Sequence, residues 1–138
     1  MLVTRRTVFS ASHVCRNPAL SDQENEAVYG PESRPHGHGH DFVLEVTLEG
    51  EPNPVTGMVY DLKRLKNVLE REIVGRFDHR FLNSEVEPFD RVIPTVENMA
   101  VEIWKRLEPC FQEPGVRLHS LRLRETEDLW VRLERDGE

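Results

Sequence analysis

The densest chemistry in this chain is the run HGHGH at 36–40, which holds three of its six histidines. Residues two apart on an extended backbone project to the same side, so His38 and His40 share a face with Phe42, Leu44, Val46 and Leu48. Two nitrogen donors therefore enter side by side at the edge of a hydrophobic core. Gly37 and Gly39 leave the backbone between them open to close approach. His36 has the same parity but precedes the apolar run and reads as a loop residue. A third imidazole, His13 in FSASH, lies on the parity of Phe9 and Ala11 and also faces inward at a strand end. If the two strands pair, three imidazoles converge. Three histidines with an open fourth position are the donor set of a catalytic zinc site. The opposing reading, a satisfied core or surface histidine, suits an isolated His better than an H-x-H pair with a third inward partner.

Other candidates are single groups. Asp78-His79, in RFDHRFLN, sets a carboxylate beside an imidazole, a pair suited to proton transfer, although adjacent residues on a strand face opposite ways. On its own the pair is a weak signal, and a polar loop after a helix explains it better. Glu125 ends a strand on the face of Leu121 and Leu123, where an inward carboxylate needs donors such as those of a heterocycle. Otherwise it is a strand-end glutamate in water. Cys15 shares parity with His13 and is weighed as a thiol at the same edge. Buried cysteines more often fill space.

The positioning elements follow from periodicity. Val3 to His13 and His38 to Leu48 read as strands. Leu62, Leu65, Val68, Leu69 and Ile73 form the stripe of a helix capped by Asp61 and stopped at Gly75. A second helix runs from Val96 to Glu108, capped by Thr95 and ended by Pro109. Two strands, Val116–Arg124 and Leu129–Arg135, close the chain, with His119, Leu121, Leu123 and Glu125 on one parity. Residues 16–35, with three prolines and many polar groups, read as a long loop, which in a small domain is usually functional or disordered. The order strand, strand, helix, helix, strand, strand predicts an antiparallel α+β domain with its helices on one face.

Composition narrows the class. The 138 residues fit one domain, and 18 Lys+Arg against 25 Asp+Glu leave a net charge of −7, unfavourable for general nucleic-acid binding. No apolar run approaches the ~18–20 residues of a membrane span, and no signal-peptide stretch opens the chain. Cys15 and Cys110 do not suggest a disulfide framework. The expectation is a cytoplasmic, single-domain protein spanning 1–138.

The motifs FSASH (9–13), LSDQEN (20–25), HGHGHDFVLEVTLEGEPNPVTGMVYDL (36–62), FDHRFLN (77–83), PTVENMAVEIW (94–104) and LRETED (123–128) run in one order over nearly the whole chain. In them the sequence resembles the 6-pyruvoyl-tetrahydropterin synthase / 6-carboxy-tetrahydropterin synthase family, and the LSDQEN stretch resembles the eukaryotic type. The resemblance implies Zn2+ held by His13, His38 and His40. It also implies the tunnelling fold (T-fold): a four-stranded antiparallel sheet backed by two helices, its subunits closing into a barrel. A homo-oligomer follows, a hexamer or else a trimer, with sites between subunits. Glu125 matches the carboxylate that anchors the pterin ring. Thr95 and Glu97 match the segment completing the pterin pocket, with Val96 where the eukaryotic type often has Thr. Asp78 and His79 match the family's proton relay.

One position departs from the pattern. The family's catalytic cysteine precedes HGH, and aligning YGPESRPHGHGH on the same spacing puts Glu32 there. Family members with this replacement, in plasmodia and various bacteria, release 6-hydroxymethyl-7,8-dihydropterin from 7,8-dihydroneopterin triphosphate. The expectation is a zinc-dependent lyase on that substrate. It would give 6-hydroxymethyl-7,8-dihydropterin ahead of 6-pyruvoyl-tetrahydropterin and 6-carboxy-tetrahydropterin, with Glu32, Asp78 and His79 as catalytic groups. The alternatives are a bystander Glu32, or a non-catalytic pterin- or metal-binding protein on the same fold.

Overall fold

The computed structural model describes residues 1–137. In chain order the elements are β1 (Leu2–His13), α1 (Asp22–Tyr29), β2 (His38–Gly50), α2 (Leu62–Leu69), α3 (Gly75–Phe77), β3 (Arg80–Phe81), α4 (Leu82–Glu85), α5 (Val96–Leu107), β4 (Val116–Thr126) and β5 (Leu129–Glu134). The apolar residues that alternate along β1 and β2 need a common partner, and antiparallel pairing supplies it: Phe9 opposes Phe42, Ala11 opposes His40 and His13 opposes His38. The Phe9 and Phe42 rings stack with centroids 5.2 Å apart. β4 takes the other side of β2, and β5 borders β4, giving the sheet order β3-β1-β2-β4-β5. On the inner face Phe42, Leu44, Leu48, Leu118 and Leu123 are buried against Leu65, Ile73, Met99 and Ile103 of the helical layer. Among the described residues no helix is long and apolar enough to cross a membrane.

The structure corrects the expected four-stranded sheet. The four long antiparallel strands are present, and a fifth, two-residue strand, β3, runs parallel to β1 at its edge. It forms because the chain leaving α3 is tied to that edge, with His79 N–H donating to the Ser10 carbonyl at 2.6 Å.

The expected loop at 16–35 also needs correction, since it contains α1. Ser21 caps this helix reciprocally, its hydroxyl accepting from Glu24 N–H at 3.1 Å while Glu24 accepts from Ser21 N–H at 3.0 Å. Fully buried Asn25 anchors the helix by accepting from Asn17 N–H and donating to the carbonyls of Asn17, Leu20 and Ser21. Gly75 does not stop the helix that begins at Leu62. The turn widens over Glu70–Val74 and continues through Phe77. A Cβ on Gly75 would meet the Glu70 carbonyl oxygen at 2.8 Å, so the wide turn and the glycine go together. α5 ends at Leu107 and passes through a tight turn, Glu108–Cys110, rather than reaching Glu108 as helix. Finally, the β2–β4 register shifts between Thr47 and Leu48, which inserts His119 as an extra residue. Leu118 and Leu121 are both buried in consequence, and His119 leaves the parity expected for it.

Candidate active site

β1 and β2 end together, and their register carries His13 and His38 to directly opposite positions, with His40 one pleat further along. The three rings pack with centroids 4.5 to 5.3 Å apart. Phe42 supports them edge-on, its ring 5.9 Å from that of His13 and 5.5 Å from that of His40. His13 is wholly buried, and its Nδ1–H donates to the Pro94 carbonyl at 2.7 Å, which leaves the Nε2 lone pair free. That bond joins the end of β1 to the segment opening α5. Burial, with the neighbouring imidazoles His38 and His40 adding to it, lowers the His13 pKa from 6.5 to about 4. Burial lowers that of His40 as well. Both rings are thus held neutral, the form that ligates a metal.

Nε2 of His13, His38 and His40 are all buried and without a hydrogen-bond partner. Their ligand atoms lie within 4.8 Å of one another. Three converging, orphaned nitrogen lone pairs in a protein interior fit a bound cation. The structure thereby brings together the three residues expected to hold the metal.

Two carboxylates join them. Glu125, 5% exposed, places Oε1 3.4 Å from His13 Nε2 and 3.5 Å from His40 Nε2. Glu32 arrives from the tight turn Gly30–Ser33 that follows α1, and its carboxylate, His40 and Glu125 also lie within 4.8 Å of one another. Burial, reinforced by the negative charges of Glu32 and Glu97, raises Glu125 from 4.5 to about 7. Cys15 lies buried beside this cluster, its Sγ 3.7 Å from the Pro94 carbonyl and 3.8 Å from His13 Nδ1, and its N–H donates to the Glu32 carbonyl at 2.9 Å. Burial first, then Glu32, pushes its thiol up to about 12. A neutral thiol is a poor nucleophile, so Cys15 serves here as packing and as a tie to the Glu32 turn. Thr95 caps α5 by accepting from Asn98 N–H at 3.2 Å, and exposed Glu97 stands in the first turn of that helix.

Asp78 and His79 belong to neither cluster. His79 borders a shallow concavity that Ser10, Ala11, Ser12, His40 and Asp41 also line. Asp78 accepts from Ser10 N–H and from His79 Nδ1, both at 2.8 Å. The Ser10 bond, then the His79 bond, holds its carboxyl below the usual range. His79 sits at φ 58°, a strained conformation for a residue with a Cβ, and its side chain is exposed. A geared carboxylate–imidazole pair is therefore present at the β1 edge, beside a concavity that His40 also lines.

Sequence reasoning missed two positioning groups. Pro94 orients His13, and Asn83 clamps Val14 by accepting from its N–H and donating to its carbonyl, at 2.8 and 2.9 Å. Neither has a local signal, because both act across more than sixty residues of chain.

With this geometry in place, comparison with known proteins decides the family. The model of the 6-pyruvoyl tetrahydropterin synthase family matches residues 2–136. The chain belongs to the 6-pyruvoyl tetrahydropterin synthase family. It is an enzyme, a lyase of the tetrahydropterin synthase type. The chain is 42% identical over 126 residues to the 6-pyruvoyl tetrahydrobiopterin synthase of Pongo abelii, covering 91% of this chain and 86% of that protein. It is 32% identical over 135 residues to a putative 6-carboxy-5,6,7,8-tetrahydropterin synthase of Archaeoglobus fulgidus, covering 98% and 96%. The structure of Caenorhabditis elegans 6-pyruvoyl tetrahydropterin synthase superposes with a TM-score of 0.91 at 33% identity, over 99% of this chain and 96% of that one. The fold of this family member is thus the one its relative adopts.

Proposed function

We propose that this tetrahydropterin synthase family member is a zinc-dependent lyase that cleaves the side chain of 7,8-dihydroneopterin triphosphate, giving 6-hydroxymethyl-7,8-dihydropterin. The observation that carries the reading is the carboxylate of Glu32 at the rim of three orphaned imidazoles, facing a second, buried carboxylate. Zn2+ held by His13, His38 and His40 would supply polarisation of a substrate side-chain oxygen.

The chain's own groups supply the rest. Glu125 accepts hydrogen bonds from the 2-amino and ring N–H groups of the pterin, which fixes the ring and so the reacting carbons. Thr95 and Glu97, at the opening of α5, close the ring pocket. Glu32 takes the proton from the hydroxyl on the second side-chain carbon. The electron pair of that O–H bond becomes a carbonyl, the bond between the first two side-chain carbons breaks, and its pair moves into the conjugated ring system. A proton delivered to the first carbon completes 6-hydroxymethyl-7,8-dihydropterin, and the departing fragment leaves as a phosphorylated aldehyde. His79, oriented by Asp78, suits that proton delivery, to its own site or to that of another copy. We also infer a homo-oligomer, hexameric or trimeric, built on the free edges at β3 and β5. The same reading makes residues 1–138 one domain working in the cytoplasm on a small-molecule pterin, with no nucleic acid or membrane partner.

The test is incubation of zinc-loaded protein with 7,8-dihydroneopterin triphosphate, followed by mass analysis of the products. 6-Hydroxymethyl-7,8-dihydropterin is the expected product. 6-Pyruvoyl- or 6-carboxy-tetrahydropterin would overturn the assigned role of Glu32, and tight pterin binding without turnover would make the protein a binder.

A further inference from the structure

We propose that Glu125 is a displaceable ligand of the metal, completing the set of His13, His38 and His40 until a pterin ring arrives and draws the carboxylate away. Only the displacement rests on the pterin reading above.

The spacing comes first. Donor atoms about 2.0–2.2 Å from a tetrahedral ion stand roughly 3.3–3.6 Å from one another. Glu125 Oε1 lies 3.4 Å from His13 Nε2 and 3.5 Å from His40 Nε2. From these two imidazoles it therefore stands at the distance of a fellow ligand, beyond that of a hydrogen-bonded neighbour.

Bonding comes second. His13 spends its only N–H on Pro94, so its Nε2 turns a lone pair toward the carboxylate oxygen. A lone pair facing a carboxylate repels unless a proton or a metal ion lies between them, and 3.4–3.5 Å is long for a shared proton. The Glu125 side chain is 4% exposed, and its close polar partners among the described residues are these two imidazoles. A buried carboxylate without an N–H donor is costly, and a metal ion shared with the imidazoles removes the cost for all the groups at once.

Mobility comes third. The β4–β5 register shifts between Arg124 and Thr126, so Glu125 is the extra residue of a bulge and is free of the ladder on that side. Bulges beside active sites re-aim side chains. Glu32 and His40 stand within the same 4.8 Å as Glu125, so one carboxylate crowds the other and favours its release once ring N–H donors are offered. Ring binding and the opening of a position for the substrate's side-chain oxygen then become a single event. A molecule without the pterin donors would leave the metal closed.

The experiment uses Co2+ as a spectroscopic probe in metal-free protein. Glu125→Gln should lower Co2+ affinity by about 10–100-fold and change the visible absorption of the bound ion. Glu125→Asp keeps the charge on a shorter stem and should fall between, with circular dichroism reporting the fold of both. In the wild type, 6-methylpterin has no side-chain hydroxyl to bind the ion. It should nonetheless shift the Co2+ spectrum in step with quenching of its own fluorescence. Wild-type affinity and spectrum in a folded Glu125→Gln overturn Glu125 as a ligand. Binding of 6-methylpterin with an unchanged spectrum overturns the displacement. Absence of pterin binding overturns the pterin reading and the displacement together, while the affinity loss still establishes the ligand.

Discussion

Glu32→Gln separates chemistry from architecture in this site. The substitution is isosteric, and the backbone bond that fixes the turn, from Cys15 N–H to the Glu32 carbonyl, does not involve the side chain. The folded state should tolerate it well. Glu32 is one of the charges that raise Glu125, so removing it relieves repulsion between two carboxylates in one pocket, and the melting temperature should hold or rise. Metal binding should persist, because the three imidazole nitrogens are untouched. An amide cannot accept the substrate proton, however, and loss of a general base costs about 10²–10⁴-fold in rate. That is a barrier increase of about 3–5 kcal/mol, at 1.4 kcal/mol per factor of ten. The assay is single-turnover formation of 6-hydroxymethyl-7,8-dihydropterin at saturating substrate, with zinc content and melting temperature measured on the same preparation. Turnover within a few fold of wild type in a zinc-replete variant would refute the reasoning and return Glu32 to the status of a bystander.

Three further outcomes are expected. His38→Ala/His40→Ala should leave the strands paired but reduce zinc to well below one per subunit by metal analysis, whereas full retention would place the metal elsewhere. Asp78 has a folded pKa below its ordinary 3.8, so it stabilises the fold above that value and the benefit is lost as pH falls through the folded pKa; the urea midpoint of Asp78→Asn should lie below wild type at pH 7, and the gap should close on acidification toward pH 3. In an ordinary helix Gly→Ala stabilises by up to about 1 kcal/mol; at Gly75 the new Cβ would stand 2.8 Å from the Glu70 carbonyl oxygen, so Gly75→Ala should instead destabilise by about 1–3 kcal/mol in urea titration.

What could be read from the sequence divides by the range of the interaction. His13, His38 and His40 were legible because a strand has period two, so parity with Phe9 and Phe42 is enough to aim a side chain. The same rule failed at His119, where one inserted residue inverts the parity of everything before it, and no residue type in VRLHSLRL marks that insertion. α1 was hidden by its composition. It has almost no apolar face, and a single buried Asn25 docks it, although Ser21 and Glu24 at capping-box spacing were a usable signal. The wide turn before Gly75 arises from packing that local propensity does not encode.

The site itself shows where such reading stops. That Glu32 and His40 meet Glu125 is a fact about distant segments, and parity on each strand says nothing about the gap between them. Asp78-His79 shows the reverse. The pair reads in sequence as part of the same machinery, yet its bonds tie it to the Ser10 backbone at the sheet edge, and it joins neither cluster of close ligand atoms. The proposed mechanism needs the two groups to meet, which they can do when that edge of one copy faces the histidine side of another. On that reading the proposed assembly completes the site. A monomer held apart by dilution or by an edge substitution should still bind metal through His13, His38 and His40 while losing the proton delivery that His79 supplies. Equal specific activity above and below the association midpoint would show that each chain works alone.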